Sequence, residues 1–404
     1  MAQPGRTTLV APNLHTVQLI VDYDASQLPV IPLDGSKRMV VSFDDLTHEY
    51  RRYTYRIEHC DFEGNPTEGL FESEYLSTAS EEEVIEDYEP STNTTVHYTH
   101  YRFSLPNARM RPLISGNYRL TVSTENDEGE QVAVLQTYFG VVDNRVPIRP
   151  TCTTNTDIDW NAQHQQLSMR MDFSNETLRD AETEVRTLVM QNRRLDNAVI
   201  NPPCTSQNGN ILIWEHDKDL IFKAGNEYRK MELLSTRYPS MHGDYIEWFD
   251  PYYHYTLLTD APRQNYLYDE DRDGLYIVRS ESAGNPNTEA DYAIIHFSLA
   301  SLPIAGRTYY VNGNWATTGL SSRYRMSYNP QTEAYEAAIL LKSGYYNYQY
   351  LCTDATSPHA GLTAPAEGDF YQTENEYNIL AYYCPTGGSY WQLVGYSAPI
   401  FRKQ

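Results

Sequence analysis

The chain has 404 residues, of which 40% are apolar and 21% are charged, and its net charge at pH 7 is −23. This length exceeds what one hydrophobic core usually supports, so two to three domains are expected, and the apolar content argues against disorder. The negative charge disfavours nucleic acid and anionic membrane surfaces as partners. The sequence contains no apolar run of roughly 18 residues, so it predicts no helix that spans a membrane.

Tyrosine is the most informative residue type, with 35 copies. Its ring offers an apolar face with a polar tip and loses little rotamer freedom when it is fixed, which suits strands and contact surfaces. The composition therefore favours a β-rich chain that works by contact rather than by catalysis. The alternative for most of these rings is packing in cores and cross-strand pairs.

The first predicted block covers residues 1–145. Its start, Met1 to Gly5, lacks the apolar region of a signal peptide, which leaves either a cytosolic protein or a leader that has been removed. Short segments that alternate apolar and polar residues predict antiparallel strands with one buried face. These segments are 16–21, 53–57 and 118–122.

The second block covers residues 146–302 and begins within a turn-rich segment, residues 142–147. Residues 175–195 show helical spacing of apolar side chains. Because Val185, Thr187 and Val189 are β-branched, we expect only a short helical turn there, followed by a strand from Val185 to Met190. Later segments predict further strands, at 276–279 and 293–297.

One segment of this block, Trp248 to Tyr255, carries six rings in eight residues. A strand with that density of rings either buries both faces or exposes one of them as a contact patch. Trp248, Tyr252 and Tyr253 are therefore candidate partner-binding residues, with core packing as the alternative.

The string from Asp269 to Gly274 has the Asp-x-Asp-x-Asp-Gly spacing of a calcium loop. Asp269, Asp271 and Asp273 are the candidate ligands. An EF-hand places a Glu at the twelfth position, where this chain has Ser280, and strands rather than helices are predicted on both sides. The alternative is an acidic hairpin turn, and no metal is otherwise expected.

The third block covers residues 303–404. Its strings Val311-Asn312-Gly313-Asn314-Trp315 and Gly344-Tyr345-Tyr346-Asn347-Tyr348 resemble early-set immunoglobulin-like domains, including starch-binding modules. Trp315, Tyr345 and Tyr346 are candidates for a sugar-stacking platform or a protein contact, with cross-strand packing as the alternative. We therefore predict an all-β chain of three consecutive β-sandwich, immunoglobulin-like domains, the last of them early-set-like.

Motifs for catalysis are absent from the sequence: it has no GxSxG, HExxH or phosphate-binding glycine loop. His59 and Cys60 are adjacent on a predicted strand, so their side chains point to opposite faces and form no dyad. The sequence does not exclude a pair of carboxylates that acts as in a glycosidase. The five cysteines make Cys152–Cys204 and Cys352–Cys384 the first disulfides to test, with buried free thiols as the alternative.

An ordered set of short strings covers nearly the whole chain. It includes Ser42-Phe43-Asp44-Asp45-Leu46, Tyr53-Thr54-Tyr55-Arg56-Ile57-Glu58-His59-Cys60-Asp61, Ser115-Gly116-Asn117-Tyr118, Ala224-Gly225-Asn226-Glu227-Tyr228-Arg229 and Thr373-Glu374-Asn375-Glu376-Tyr377. This set resembles the type IX secretion system plug proteins of Bacteroidota. Two strings depart from the family pattern, Phe62-Glu63-Gly64 and Cys384-Pro385-Thr386-Gly387-Gly388, and they put local contact details in doubt.

The resemblance implies a non-enzymatic protein of the periplasm, associated with the outer membrane, with no catalytic residues and no cofactor. Its implied partner is the outer-membrane translocon barrel of the type IX secretion system, whose periplasmic opening it would bind and close. The alternative function is a periplasmic or surface glycan-binding protein that uses the starch-module-like third block. No contact residues carry over from the family.

Overall fold

The computed structural model describes residues 3–78, 82–281 and 283–401. Met1 and Ala2, on which the expectation about a leader partly rests, lie outside these residues. The described chain is almost entirely strand and turn, and its helices are single turns. Within it, no helix combines the length and the apolar character needed to cross a membrane. The predicted all-β class with several sandwiches is confirmed.

The first sandwich lies in residues 7–142, and its two sheets share one core. One sheet has the strand order β2-β4-β8-β7, and its Phe43 packs with Leu120 from the facing sheet, which holds β1, β3, β5, β6, β9 and β10. The bounds are β1 Thr7–Val10, β2 Leu14–Val21, β3 Val30–Pro32, β4 Met39–Asp45, β5 Tyr53–Cys60, α1 Glu72–Tyr75, β6 Glu83–Val84, β7 Asp87–Pro90, β8 Thr99–Leu105, β9 Gly116–Glu125 and β10 Gln131–Val142.

The second sandwich begins after this block. The expected helical turn and strand are both present, because α2 ends at Glu184 and β13 starts at Val185. The bounds are β11 Ile148–Thr153, β12 His164–Asp172, α2 Ala181–Glu184, β13 Val185–Gln191, β14 Val199–Ile200, β15 Ser206–Asn208, β16 Ile211–Trp214, a 3-10 turn Lys218–Leu220 and β17 Ile221–Lys223.

The third sandwich packs a sheet of order β19-β20-β22-β25-β24 against a sheet in which β26 pairs with β18, β21 and β23. Its core is rich in rings, with Phe297, Trp315 and Tyr348 among the buried side chains. The bounds are β18 Arg229–Leu233, β19 Gly243–Phe249, β20 Tyr252–Leu257, β21 Tyr276–Val278, α3 Pro286–Glu289, β22 Tyr292–Leu299, β23 Thr308–Asn312, a 3-10 turn Ser322–Tyr324, β24 Ser327–Asn329, β25 Ala334–Lys342 and β26 Gly344–Thr353.

The last strands return to the second sandwich: β27 Asn375–Tyr383, β28 Gln392–Ser397 and β29 Ile400–Phe401. β27 pairs with β13, and Leu393 of β28 pairs in parallel with Val142 of β10. One extended sheet of eleven strands therefore runs from the first sandwich into the second. This continuity gives the two sandwiches a shared backbone framework.

The division into 1–145, 146–302 and 303–404 stays a prediction, since strand pairs do not report which segments fold independently. The pairs do cross the boundary placed between residues 302 and 303. β22 pairs with β25, and β13 with β27, from opposite sides of it. Strand pairing places β18 to β26 in one sandwich. It joins β27 to β13 and β28 to β10, two strands that start more than 180 residues earlier in the chain.

Candidate partner-binding surface

The aromatic hairpin formed by β19 and β20 brings one of the two sequence-predicted aromatic groups to the surface. Trp248 is 46% exposed, and Phe249 beside it is 58% exposed. Tyr252 and Tyr253 are half-buried on β20. The rings of Trp248 and Tyr253 meet edge to face at 4.8 Å. Trp248 is thus supported by a neighbour and still presents nearly half its surface to solvent.

The hairpin lies at the margin of its sheet. β19 pairs with β20 in an antiparallel register that joins Glu247 to His254 and Phe249 to Tyr252, with a bulge near Gly243. No strand in the described part of the chain pairs with the other side of β19. Because successive side chains alternate, Ile246 faces the core while Tyr245 and Phe249 face outward.

A groove of about 690 Å³ runs along the outer face of this sheet, beside the hairpin. Its floor holds a histidine pair, in which Nδ1 of His254 and Nε2 of His296 are 2.8 Å apart. Burial and the nearby His254 lower the pKa of His296, against the opposing effect of Glu336. One ring donates and the other accepts, so the pair needs at least one neutral imidazole.

For the second aromatic group, Trp315, Tyr345 and Tyr346, the sequence leaves a surface platform and cross-strand packing as alternatives, and the burial of two of the three contradicts the platform. Trp315 is 6% exposed and Tyr346 is 2% exposed, so both belong to the core of the third sandwich. Trp315 donates its Nε1–H to the carbonyl of Asn347 at 3.0 Å. Tyr345 is half-buried, with Arg279 over its ring. Cross-strand packing explains these rings, because sandwich cores need large apolar faces on alternate positions.

The candidate calcium ligands do not converge. Asp269 forms an ion pair with Lys230, whereas Asp271 accepts from the backbone N–H groups of Tyr228 and Asp273. Burial raises the pKa of the Asp271 carboxyl above its ordinary value. Within the described residues, no group of three or more His, Cys, Asp or Glu side chains is placed to hold a metal ion. β21 follows the acidic loop, but residues 258–275, all of them described, hold no strand that could make the predicted hairpin.

All five cysteines lie in the described residues and are free, so neither Cys152–Cys204 nor Cys352–Cys384 forms a bridge here. Burial raises the pKa of the Cys60 thiol to about 12. Cys60 is fully buried, as expected for a core residue. A thiol with so high a pKa carries almost no thiolate at neutral pH, which makes it a poor nucleophile.

His59 lies where the first sandwich meets the segment between β27 and β28. Its Nδ1 is 2.8 Å from Oγ1 of Thr67, and its ring meets Tyr390 edge to face at 5.5 Å. A Cβ on Gly116 would lie 2.2 Å from Nε2 of His59, so only glycine fits that strand start. Burial lowers the pKa of His59 to about 4, against the carbonyl of Ser115 and the charge of Asp61, which raise it.

Acid is therefore expected to destabilise the protein partly through His59. Its folded pKa is below the ordinary value of 6.5, so the unfolded chain binds the proton first and stability falls as pH drops from about 6.5 toward 4. Between about pH 7.5 and pH 5 the loss should be about 2 kcal/mol. Urea denaturation at several pH values measures it, and His59→Gln should lack this component.

His216→Gln is the matched control for that measurement. His216 is exposed, and its hydrogen bond to Asp157 raises its pKa. Protonation of His216 therefore adds to the free energy of unfolding as pH falls, and His216→Gln should remove this gain, which is opposite in sign to the effect of His59. A His59→Gln protein whose stability falls with acid as steeply as that of the wild type would contradict the assignment.

A buried ion pair joins the first and third sandwiches, and the sequence carries no direct signal of it. Nζ of Lys342 lies 2.6 Å from Oδ2 of Asp44, and both side chains are 1% exposed. Asp44 also accepts from the hydroxyl of Tyr292 at 2.6 Å and contacts Nδ1 of His100 at 2.7 Å. The ammonium lies 4.1 Å above the ring of Tyr98. The only sequence signal was Asp44 itself, which stands in one of the strings that carry the family resemblance.

The electrostatics of this cluster favour a charged pair. Burial acts to raise the pKa of Asp44, but Lys342 and then His100 outweigh it and hold that pKa below the ordinary value. Burial lowers the pKa of Lys342, and Asp44 offsets part of this. Since every partner comes from a different strand or loop, the pair fixes the third sandwich against β4 and β8 of the first.

Further contacts join the sandwiches around this pair. The carboxylate of Asp291 accepts from the backbone N–H groups of Thr95 and Val96, and the hydroxyl of Tyr276 donates to the carbonyl of Val17. The second sandwich contributes Tyr382, whose hydroxyl donates to Oδ1 of Asn117 at 3.0 Å. The first sandwich is therefore held to each of the other two by polar contacts, and those of Tyr276 and Tyr382 are buried.

Comparisons with a family model and with solved structures both find similarities. Residues 14–143 match the family model for the type 9 secretion system plug protein 1st domain, which spans most of the first sandwich. The whole chain is similar to the crystal structure of a hypothetical protein from Parabacteroides merdae ATCC 43184, at 37% identity and a TM-score of 0.93, over 98% of this chain and 99% of that one. No curated protein matches the chain.

Proposed function

The chain belongs to the type 9 secretion system plug protein family, and from that membership we propose that it binds the periplasmic opening of the outer-membrane translocon and closes it when no substrate is passing. The observation that carries this proposal is the family match over residues 14–143. The family is a non-catalytic, structural kind of protein associated with this secretion system, and it suggests a periplasmic or envelope location.

The physical demands on a plug support the proposal. A lid over a water-filled, protein-conducting pore has to keep its shape under load, since bending between domains would open a leak. The buried Asp44–Lys342 pair and the Tyr382–Asn117 hydrogen bond resist such bending. Breaking either of them would leave polar groups buried without a partner. The eleven-stranded sheet adds a continuous backbone link between two sandwiches.

The proposed mode of action is non-enzymatic: the protein closes the pore by shape and adhesion. It needs a contact area above the roughly 1,200 Å² of specific complexes, which a body of three sandwiches can offer. The exposed rings of Tyr245, Trp248 and Phe249 supply the type of side chain that dominates such contacts.

The test uses the native organism and a tagged chain. The tagged protein should retain the translocon barrel from detergent-extracted outer membranes. Deletion of the gene should make the outer membrane permeable to bulky antibiotics that are normally excluded, and a plasmid copy should restore exclusion. Deleting the translocon as well should remove the leak, since the open pore is its cause. Unchanged permeability together with no co-purifying barrel would reject the proposal.

Glycan binding, the alternative function, loses its structural basis in this fold. Its proposed platform needed Trp315 and Tyr346 at the surface, and both rings lie in a core. Titration of the protein with a panel of oligosaccharides provides the direct check, and we expect no binding that depends on Trp315.

A further inference from the structure

β19 is an edge strand of its sheet, and one of its sides is unpaired in the described structure. A strand at the end of a sheet presents one row of backbone N–H and C=O groups that can pair with another strand. After the bulge near Gly243, residues 245–249 pair regularly with β20 and, in the described structure, with no strand on their other side. They include neither Pro nor Lys, the residues that usually protect such an edge from pairing.

The side chains of this strand also suit a peptide partner. Tyr245 and Trp248 are each 46% exposed, and Phe249 is more exposed still. Since successive side chains alternate, these rings flank an incoming strand on both faces. Main-chain hydrogen bonds give affinity in this mode of recognition, and the flanking side chains give specificity.

The charge around the edge of β19 favours a partner of positive charge. Asp244, Glu247 and Asp250 are exposed, and none of the described Lys or Arg side chains forms an ion pair with them. Between Arg237 and Arg263 the sequence contains no Lys or Arg. A second copy of this chain would bring two acidic edges together, whereas a basic strand would meet opposite charge and rings that attract cations.

We propose that β19 takes up one further strand, supplied by an extended segment that carries Lys or Arg on alternate residues. The identification of this segment as part of the translocon rests on the proposed function. The added strand would extend the sheet β19-β20-β22-β25-β24 and would cover the rings of Tyr245, Trp248 and Phe249.

A direct test measures peptide binding by the full chain. A fluorescent nine-residue peptide of alternating Lys and Val should bind, as seen by anisotropy, and a Glu and Val peptide should not. N-methylation of the five central amides of the basic peptide should weaken binding at least tenfold, because it removes the edge hydrogen bonds without changing the charge. The double variant D244K/E247K should weaken binding by a similar factor.

The variant D127K/E215K is the matched control, since it makes the same change of charge at two exposed positions in the first and second sandwiches. It should bind the basic peptide as the wild type does. Equal binding of the acidic or the methylated peptide, or an unaffected D244K/E247K protein, would overturn the inference. A dimer in light scattering that D244K/E247K abolishes would also overturn it, in favour of self-pairing.

Capture of the translocon separates this inference from the proposed function. If wild type and D244K/E247K retain the barrel equally, the translocon does not supply the added strand, whereas the plug function stands. If the wild type fails to retain the barrel but binds the basic peptide through β19, the plug function is wrong and the edge inference stands.

Discussion

Replacement of Lys342 by methionine is expected to lower the free energy of unfolding by about 3–5 kcal/mol, because it leaves the buried carboxylate of Asp44 without its cation. Both side chains are 1% exposed, so water cannot take over the role of the ammonium. The hydroxyl of Tyr292 and the ring of His100 remain as partners, but neither carries a permanent charge. Urea denaturation at neutral pH measures the loss.

The surface variant Arg102→Met is the matched control for this measurement. Arg102 pairs with Asp87 on an exposed part of the first sandwich, and such pairs contribute about 0–1 kcal/mol. Asp44→Asn combined with Lys342→Met should recover part of the stability, because it removes the uncompensated charge. The deficit of Lys342→Met should also shrink in acid, as the unpaired carboxyl becomes protonated. A Lys342→Met protein as stable as Arg102→Met would show that the pair does not fix the junction.

Trp315→Ala is expected to lower the free energy of unfolding by about 3–5 kcal/mol, whereas Trp248→Ala should change it by less than about 1 kcal/mol. Trp315 stacks near Phe297, meets Tyr324 and Tyr346 edge to face, and donates its Nε1–H to a buried carbonyl. Its removal leaves a cavity and an unpaired acceptor. Trp248 contacts one ring and is nearly half exposed.

Thermal and urea unfolding of the two alanine variants give the comparison, and each serves as the control for the other. If Trp315 lay on a surface platform, Trp315→Ala would leave the free energy of unfolding nearly unchanged, as substitutions at exposed positions usually do. A stability loss for Trp248→Ala as large as that for Trp315→Ala would contradict the surface position of the hairpin.

The strand positions were predictable from local alternation. β2, β5, β9 and β22 all contain the segments predicted from period-two patterns, and β13 begins at the first of the β-branched residues that argued for it. Alternation reports these strands because it reflects which face of a strand is apolar, and this requires only neighbouring residues.

The site was predictable in part. The density of rings in 248–255 identified the hairpin that carries Trp248, but a similar density in 345–350 belongs to a core strand. Gly313 shows what the sequence could have signalled. A Cβ there would lie 2.3 Å from Nε1 of Trp315, so the string from Asn312 to Trp315 records close packing rather than a sugar site.

The sequence by itself determined the strands, the all-β class and the family, because local patterning and ordered strings carry that information. Only the tertiary structure decided which rings stay exposed, which strands share a sheet and which charges pair. Val189 pairs with Ile379, 190 residues later in the chain, and Asp44 meets Lys342, 298 residues later. Burial is a property of what packs on a surface, and that partner comes from residues far away in the sequence.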